Sequence, residues 1–389
     1  MLMLSSKELV TLGEVCQFVG GGTPARERPD FYSGDIPWAT VKDFKTSTII
    51  DTQEHVTQEA IDRSASNIVE QGTVLLVTRV GLGKVAMAGR RLAINQDVKG
   101  LTPREDVLPE YLFWFLVAIA PKIERMGVGA TVKGVTLQDV KAIKIPLPNK
   151  EVQRRIVDLL SRAENIVRMR QEAEKKAKEI IPALFLDMFG DPARNPKGWP
   201  TQTFRDLGTL DRGRSRHRPR DAPHLYGGPH PFVQTGDVAR SGGVITTYTQ
   251  TYSDAGLAQS RLWPVGTLCI TIAANIAETG VLAFEACFPD SVVGFLPGES
   301  IRTDYIQHWL HFLKPTLAAQ APQAAQKNIN LEILRNLNVP VPPISLQVVF
   351  EEYAKRLRST EASQLAATTV GAQVFQSLLA GVFSEGVAI

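Results

Sequence analysis

Residues 211–220 read Asp-Arg-Gly-Arg-Ser-Arg-His-Arg-Pro-Arg, five arginines and one histidine in ten positions. Arginine stays charged, and its planar fork of donors matches either a phosphate or the O6/N7 edge of guanine. Arg212, Arg214, Arg216, His217, Arg218 and Arg220 are therefore candidate nucleic-acid contacts, with a solvated loop as the plainer alternative. The glycine-rich loop at residues 20–28, Gly-Gly-Gly-Thr-Pro-Ala-Arg-Glu-Arg, occupies the matching place earlier in the chain, and Arg26 and Arg28 are the counterparts. Thr78, Arg79 and Lys84 surround Gly81 and Gly83, which would let backbone approach a groove; an ordinary hairpin explains them equally well. Asn95 and Gln96 carry the amides that suit an adenine edge, or a turn cap. Gln326, Lys327, Asn328 and Asn330 form a polar, basic loop fit for phosphate, with Thr131 and Lys133 in the corresponding earlier place. Phosphate contacts hold register and base contacts set sequence, and residue types do not sort these candidates between the two roles.

Catalytic arrangements are not found. No Asn-Pro-Pro-Tyr run of an amino-methyltransferase occurs, and the one Asn-Pro is Asn195-Pro196. No phosphate-binding GxxxxGK[ST] occurs: Gly83-Lys84 is followed by Val85 and lacks the earlier glycine. Gly81-x-Gly83-x-x-Ala86 resembles a dinucleotide fingerprint, but Lys84–Ile94 reads as a further strand where that motif needs a helix. The histidines (55, 217, 224, 230, 308, 311) and the cysteines (16, 269, 287) have no zinc spacing, and no disulfide framework is implied. His308 and His311 flank Trp309 in a helix, which favours packing over metal. The reading is a binding chain with no metal and no catalytic residue.

The elements that position these residues come in two copies. Displacing the chain by 194 positions pairs Tyr32 with Tyr226, Gly34 with Gly228, Asp43 with Asp237, Gly72-Thr73 with Gly266-Thr267, Tyr111 with Tyr305, Gln153 with Gln347 and Phe189 with Phe383. Pro37, Pro121, Pro146 and Pro148 meet Pro231, Pro315, Pro340 and Pro342. Seven prolines against ten in a 158-residue window would match about half a time by chance, and proline marks fixed backbone breaks. Each copy predicts a buried strand (Val74–Val80; Leu268–Ala274), a helix (about Pro109–Met126; about Thr303–Leu317) and a closing strand (Ile143–Pro148; Leu337–Pro343). Residues 151–189 contain no glycine and place Ile156, Leu159, Ala163, Ile166, Ala173, Ala177, Ile180 and Leu184 at heptad a and d positions, with Arg170 the exception. The same register returns in Phe350, Tyr353, Leu357, Thr360, Gln364, Ala367, Val374 and Leu378, a more polar seam. Two such helices of roughly 35 residues, about 50 Å each, are expected to pair antiparallel, with Pro182 breaking or kinking the first. Gly190–Pro200 reads as a linker. With 389 residues, 44% hydrophobic, each half can bury a core, and a net charge of +3 leaves any basic function to local clusters. No signal peptide is read at the N-terminus, and the apolar run Tyr111–Ala120 is too short for a bilayer.

The order domain, long helix, Asn-Pro-Lys-Gly-Trp-Pro junction, domain, long helix resembles the specificity (S) subunit of type I restriction–modification enzymes. Gly20–Pro24, Tyr32–Asp43, Gly72–Lys84 and Ala93–Leu101 look like the loosely shared patches of its target recognition domains, as do Pro231–Val238, Ala273–Gly280 and Ala324–Asn330. Ala277 stands where similar domains usually have glycine. The patches add Thr23, Lys42, Gln234, Thr235 and Asn275 to the DNA-binding candidates. The resemblance implies an α+β chain: two α/β target recognition domains in tandem repeat, separated by two long helices forming an antiparallel coiled coil. Its bounds would be domain 1 at 1–150, a central helix at 151–189, a linker at 190–200, domain 2 at 201–343 and a distal helix at 344–389. It further implies that each domain reads one half of a split target on double-stranded DNA and that the helices dock two methyltransferase subunits. S-adenosylmethionine, and ATP and Mg for cleavage by restriction subunits, would then belong to partners and no cofactor to this chain. The location would be cytoplasmic, with no membrane. Two other readings stay open: the specificity subunit of a combined cutting-and-methylating (type IIB/IIG-like) enzyme, and a coiled-coil scaffold that does not bind DNA. The two domains share few polar loop residues, so different half-sites are expected.

Overall fold

The computed structural model describes residues 9–129, 133–273, 276–320 and 330–383. They form two compact units, Met1–Gln171 with Ala366–Ile389, and Glu172–Leu365. Five long helices organise them: α1 (Pro109–Met126), α2 (Lys150–Ala177), α3 (Ile180–Phe189), α4 (Thr303–Gln320) and α5 (Ile344–Phe383).

The first unit is built on strands β1 (Cys16–Gly20), β2 (Thr48–Ile49), β3 (Val74–Val77), β4 (Val85–Ala88) and β5 (Val98–Pro103), ordered β1-β5-β3-β4-β2. The second uses β6 (Gly208–Arg212), β7 (Val244–Ile245), β8 (Leu268–Thr271), β9 (Thr279–Leu282) and β10 (Val292–Pro297), ordered β6-β10-β8-β9-β7. In each sheet the edge strand β2 or β7 is parallel to its neighbour and the other pairs are antiparallel. The register repeats as well: Leu101 faces Val74 and Phe295 faces Leu268, both displaced by 194. The duplication is thus one of strand pairing, which low sequence identity hides.

Strands β3 and β8 are buried on both faces, so they read as unbroken apolar runs. Alternation sends Val74 and Leu76 toward α1, against Tyr111 and Phe115, and Leu75 and Val77 toward a second cluster with Ile49 and Ile94. Both strands stop short of their expected ends. The chain turns at Val80, Gly81 and Gly83, all at positive φ, and Ala277 (φ 58) turns the second copy where Gly83 (φ 79) turns the first. A Cβ at Gly83 would stand 2.8 Å from the Ala120 carbonyl, whereas Ala277 holds the left-handed conformation as a non-glycine residue. The closing strands are also short, Lys144–Pro146 and Asn338–Pro340.

One hydrogen-bond set locks each domain to its helix. Tyr111 Oη donates to the Pro146 carbonyl (2.8 Å) and Tyr305 Oη to that of Pro340 (2.7 Å). Buried Gln153 accepts from Leu108 N (2.8 Å) and donates to the carbonyls of Asp106 and Pro148. Gln347 repeats this with Arg302 N, Ser300 and Pro342.

Within the first unit α2 packs antiparallel on the C-terminal part of α5; the expected break near Pro182 is present, and the expected seam needs correction. The first helix is interrupted at Lys178–Glu179, ahead of Pro182. Proline then occupies the first turn of α3, where its missing N–H has no helical acceptor to lose. The distal helix, despite its polar seam, is one unbroken 40-residue element. The buried stripe shares only Ile156 with the predicted heptad: Gln153, Ile156 and Leu160 in α2, and Ile181, Phe185 and Phe189 in α3. Those stripes pack on the globular cores. Phe375, Leu379 and Phe383 of α5 join Trp114, Tyr111 and Phe115 in the first unit. Phe185 and Phe189 of α3 join Tyr305 and Phe350 in the second. Each unit is therefore completed by the end of the helix that belongs, by sequence, to the other repeat. The predicted seam residues Leu159, Ala163 and Ile166 instead face Ala367, Val374 and Leu378 across a groove of about 630 Å³ in the first unit. By length and composition α5 is apolar enough to cross a membrane, but its apolar ends lie in the two cores.

Candidate nucleic-acid interface

In the first unit the candidates split into a spent group and an available one. Arg26 is bidentate to Glu54 (2.6 and 3.1 Å) and lies 4.5 Å from the Tyr32 ring centroid. Its guanidinium holds the Glu54 carboxyl below the usual carboxylate range. Arg28 is likewise closed on Asp30 (2.9 and 2.6 Å). Thr78 is buried, and its N–H and hydroxyl both donate to the Asp97 carbonyl (2.8 and 3.3 Å). Asn95 is 6% exposed and caps its own turn: Nδ2 donates to the Asp97 carboxylate (3.2 Å) and Oδ1 accepts from Asp97 N (3.1 Å). The glycines at 21 and 22 have a structural reason, since a Cβ there would lie 2.2 Å from the carbonyls of Ile94 and Asn95, or 2.3 Å from the Ala65 carbonyl carbon.

The remaining residues converge on one surface. Thr23 Oγ1 donates to Gln96 Oε1, and Lys99 Nζ donates to the Gln96 carbonyl (3.2 Å). Arg79, rooted by a bridge to Gly134, has its Nε 3.8 Å from Asp97 Oδ1. Exposed Lys84 folds over Gly81, whose Cβ position is 3.6 Å from Lys84 Cε and 3.2 Å from Val41, next to exposed Lys42. Lys133 is exposed beside Gly134. Burial, against the nearby Asp97 charge, pulls the Lys99 ammonium below its usual range. Lys99 and Asp97 were missed by sequence reasoning; both lie in the Ala93–Leu101 patch, where β-strand alternation from Asp97 would have flagged Lys99.

The second unit uses different residues. Arg212, Arg214 and Arg216 are exposed at alternating positions, while Gly213 and Ser215 between them are buried. The alternation turns all three guanidinia to solvent. Among the described residues none of the three side chains has a hydrogen bond or ion pair, and Asp211 is instead held by Arg261 and Arg335 (3.2 and 3.3 Å). The rest of the arginine run is engaged. Arg218 donates to the carbonyls of Ser215 and His217 (2.7 and 2.8 Å), and Arg220 pairs with Asp290 (2.6 Å). His217 Nδ1 meets the Pro219 carbonyl at 3.1 Å, and its ring lies edge-on to His224. Gln234 and half-buried Thr235 start the helix Thr235–Arg240, where buried Asp237 accepts from Gln234 N (2.9 Å) and anchors Arg240 (3.0 Å). Asn330 caps the helix Leu331–Arg335, accepting from Glu332 N (3.3 Å). Asn275, Gln326, Lys327 and Asn328, like Thr131, lie outside the described residues. Where the first hairpin carries Lys84, the second carries Glu278, paired with Lys314 at 2.5 Å.

The family model described as "Type I restriction modification DNA specificity domain" matches residues 5–179 and again 196–364. The chain is 27% identical over 252 residues to the specificity subunit of type I restriction enzyme MjaIX from Methanocaldococcus jannaschii, covering 59% of this chain and 56% of the relative. It is 30% identical over 166 residues to the EcoR124I/EcoR124II specificity subunit of Escherichia coli, 41% of each chain. The chain thus spans about half the length of the curated relatives it matches. Two solved structures share the fold over nearly all of both chains. One, from work on assembly and conformational transition of the type I R-M system, gives a TM-score of 0.64 at 20% identity over 97% and 98% of the chains. The other, the S subunit from M. genitalium, gives 0.58 at 14% over 98% of each.

Proposed function

The chain belongs to the type I restriction modification DNA specificity family, and on that footing we propose that it chooses where a restriction–modification complex acts, each unit reading one half of a split target on double-stranded DNA. The observation that carries this reading is a framework repeated in register with its surface rewritten. Tyr111/Tyr305 and Gln153/Gln347 keep their bonds, while Lys84 becomes Glu278, Arg79 becomes Ala273 and three exposed arginines stand at 212, 214 and 216. Shared bonds hold the shape and altered charges alter what is read.

The chain acts by binding and leaves chemistry to partners. Two methyltransferase subunits would supply S-adenosylmethionine chemistry on an adenine taken out of the base stack, and restriction subunits would supply ATP- and Mg-dependent cleavage. The apolar groove of the first unit, with exposed Ile166, Val370 and Val374, supports docking of a methyltransferase along the helices. Such a protein works in the cytoplasm, where its buried free cysteines Cys16, Cys269 and Cys287 stay reduced.

The test is DNA binding by the chain with its partner across a salt series. Replacing Arg212, Arg214 and Arg216 with alanine should weaken binding and flatten the slope of log K against log salt, by about 0.9 for each phosphate that is no longer neutralised. Unchanged affinity and slope would remove this arginine row from the interface.

A further inference from the structure

Arg79 differs from the other candidate arginines of its unit in how it is held. Arg26 and Arg28 close their terminal nitrogens on carboxylates. Arg79 instead presents Nε to Asp97 (3.8 Å), and among the described residues nothing takes its Nη edge. Its side chain is 52% exposed, against 14% for Asp97. The backbone of Arg79 and the residue it faces are both held in place. The Arg79 backbone bridges Gly134, and Thr78 beside it bonds the Asp97 carbonyl and accepts from Val135 N (2.9 Å). Asp97 is pinned by both amide atoms of buried Asn95. Val80, β-branched and at φ 48, turns the chain just beyond Arg79, a costly conformation kept where the surrounding structure imposes it.

We propose that Arg79 reads a guanine in the half-site of the first unit and that Asp97 is its positioning residue. The inference rests on the reading of the two units as DNA readers and adds base identity to it. With Asp97 in ion-pair range of Nε, the two outer donors stay unengaged, the fork that O6 and N7 of guanine accept in the major groove. A phosphate contact needs charge but not that two-donor fork, and a lysine serves it. The position has no counterpart in the second unit, where Ala273 and Ser291 stand 194 residues on.

The experiment maps DNA methylation in cells carrying the chain with its methyltransferase partner, for the native chain and for Arg79→Ala, Arg79→Lys and Asp97→Asn. The native motif should hold a G·C pair in one half. Arg79→Ala and Arg79→Lys should both lose discrimination at that pair, roughly tenfold or more, with the other half and the spacer unchanged. Asp97→Asn should relax the same pair to a smaller degree. Lysine keeps the charge at an exposed site, so its arm reports the fork and not the fold. A full native motif with Arg79→Lys, or a uniform drop in methylation with the motif intact, would overturn the proposal, as would an unaltered motif with Asp97→Asn. A native motif that is not split would overturn the two-reader reading itself, and is seen before any variant is scored.

Discussion

At the residue scale, the repeated positions that kept their chemistry, Tyr111/Tyr305 and Gln153/Gln347, are structural, whereas changed positions lie outside, as Lys84/Glu278, or inside, as Trp114/His308. His308 is an instructive substitution. Its counterpart, Trp114, donates Nε1 to Ser161 (3.3 Å) and packs on Phe375. His308 is wedged against Phe185 and Phe350, with Nδ1 on the Asp304 carbonyl (2.8 Å). Burial lowers its pKa below the ordinary 6.5, opposed by the Asp304 carbonyl bond, with Arg358 and His311 adding repulsion. Lys178, Glu278 and Glu361 line the cavity on its other side. Because the folded pKa is the lower one, the unfolded chain binds the proton first. The contribution of this group is therefore full above about pH 6.5 and declines as pH falls toward the folded value. Thermal unfolding of the native chain should lose more stability between pH 7.5 and 5.5 than His308→Gln does; equal losses would contradict this. Residue roles were only partly legible. The arginine run announced a basic surface, but that Arg218 and Arg220 are engaged while Arg212, Arg214 and Arg216 are left without partners among the described residues depends on where Ser215 and Asp290 fall in space.

At the element scale, the helices show where periodicity misleads. Heptad spacing correctly marked Leu159, Ala163 and Ile166 as facing another helix, yet the most buried stripe shares only Ile156 with it and otherwise runs through Leu160, Phe185 and Phe189. A helix with two partners, a globular core and another helix, carries two overlapping apolar stripes, and a single-period reading merges them. The exchange of helix ends was legible only as the pair Phe189/Phe383 in the repeat. It gives a prediction by symmetry. Phe383→Ala should destabilise the first unit and Phe189→Ala the second, each by roughly 3–5 kcal/mol for a buried aromatic. Hydrogen exchange should show reduced protection at 109–126 for the former and at 303–320 for the latter. A reduction at 303–320 alone from Phe383→Ala would contradict the exchange.

At the scale of the whole molecule, a net charge of +3 conceals two local basic surfaces built from different residues on one frame. Fold class and duplication were legible because prolines and buried tyrosines fix backbone geometry, and these survive divergence. The reading surfaces were less so, because a loop residue's availability is set by distant carboxylates such as Glu54, Asp97 and Asp290. On the proposed two-reader function, two frames with different surfaces predict a target in two unlike halves. The most direct test is the methylation map of DNA from cells expressing the native chain with its partner. Two short, non-identical defined sequences around a spacer of fixed length and free composition are predicted; an unsplit motif, or an exact palindrome, would contradict the account.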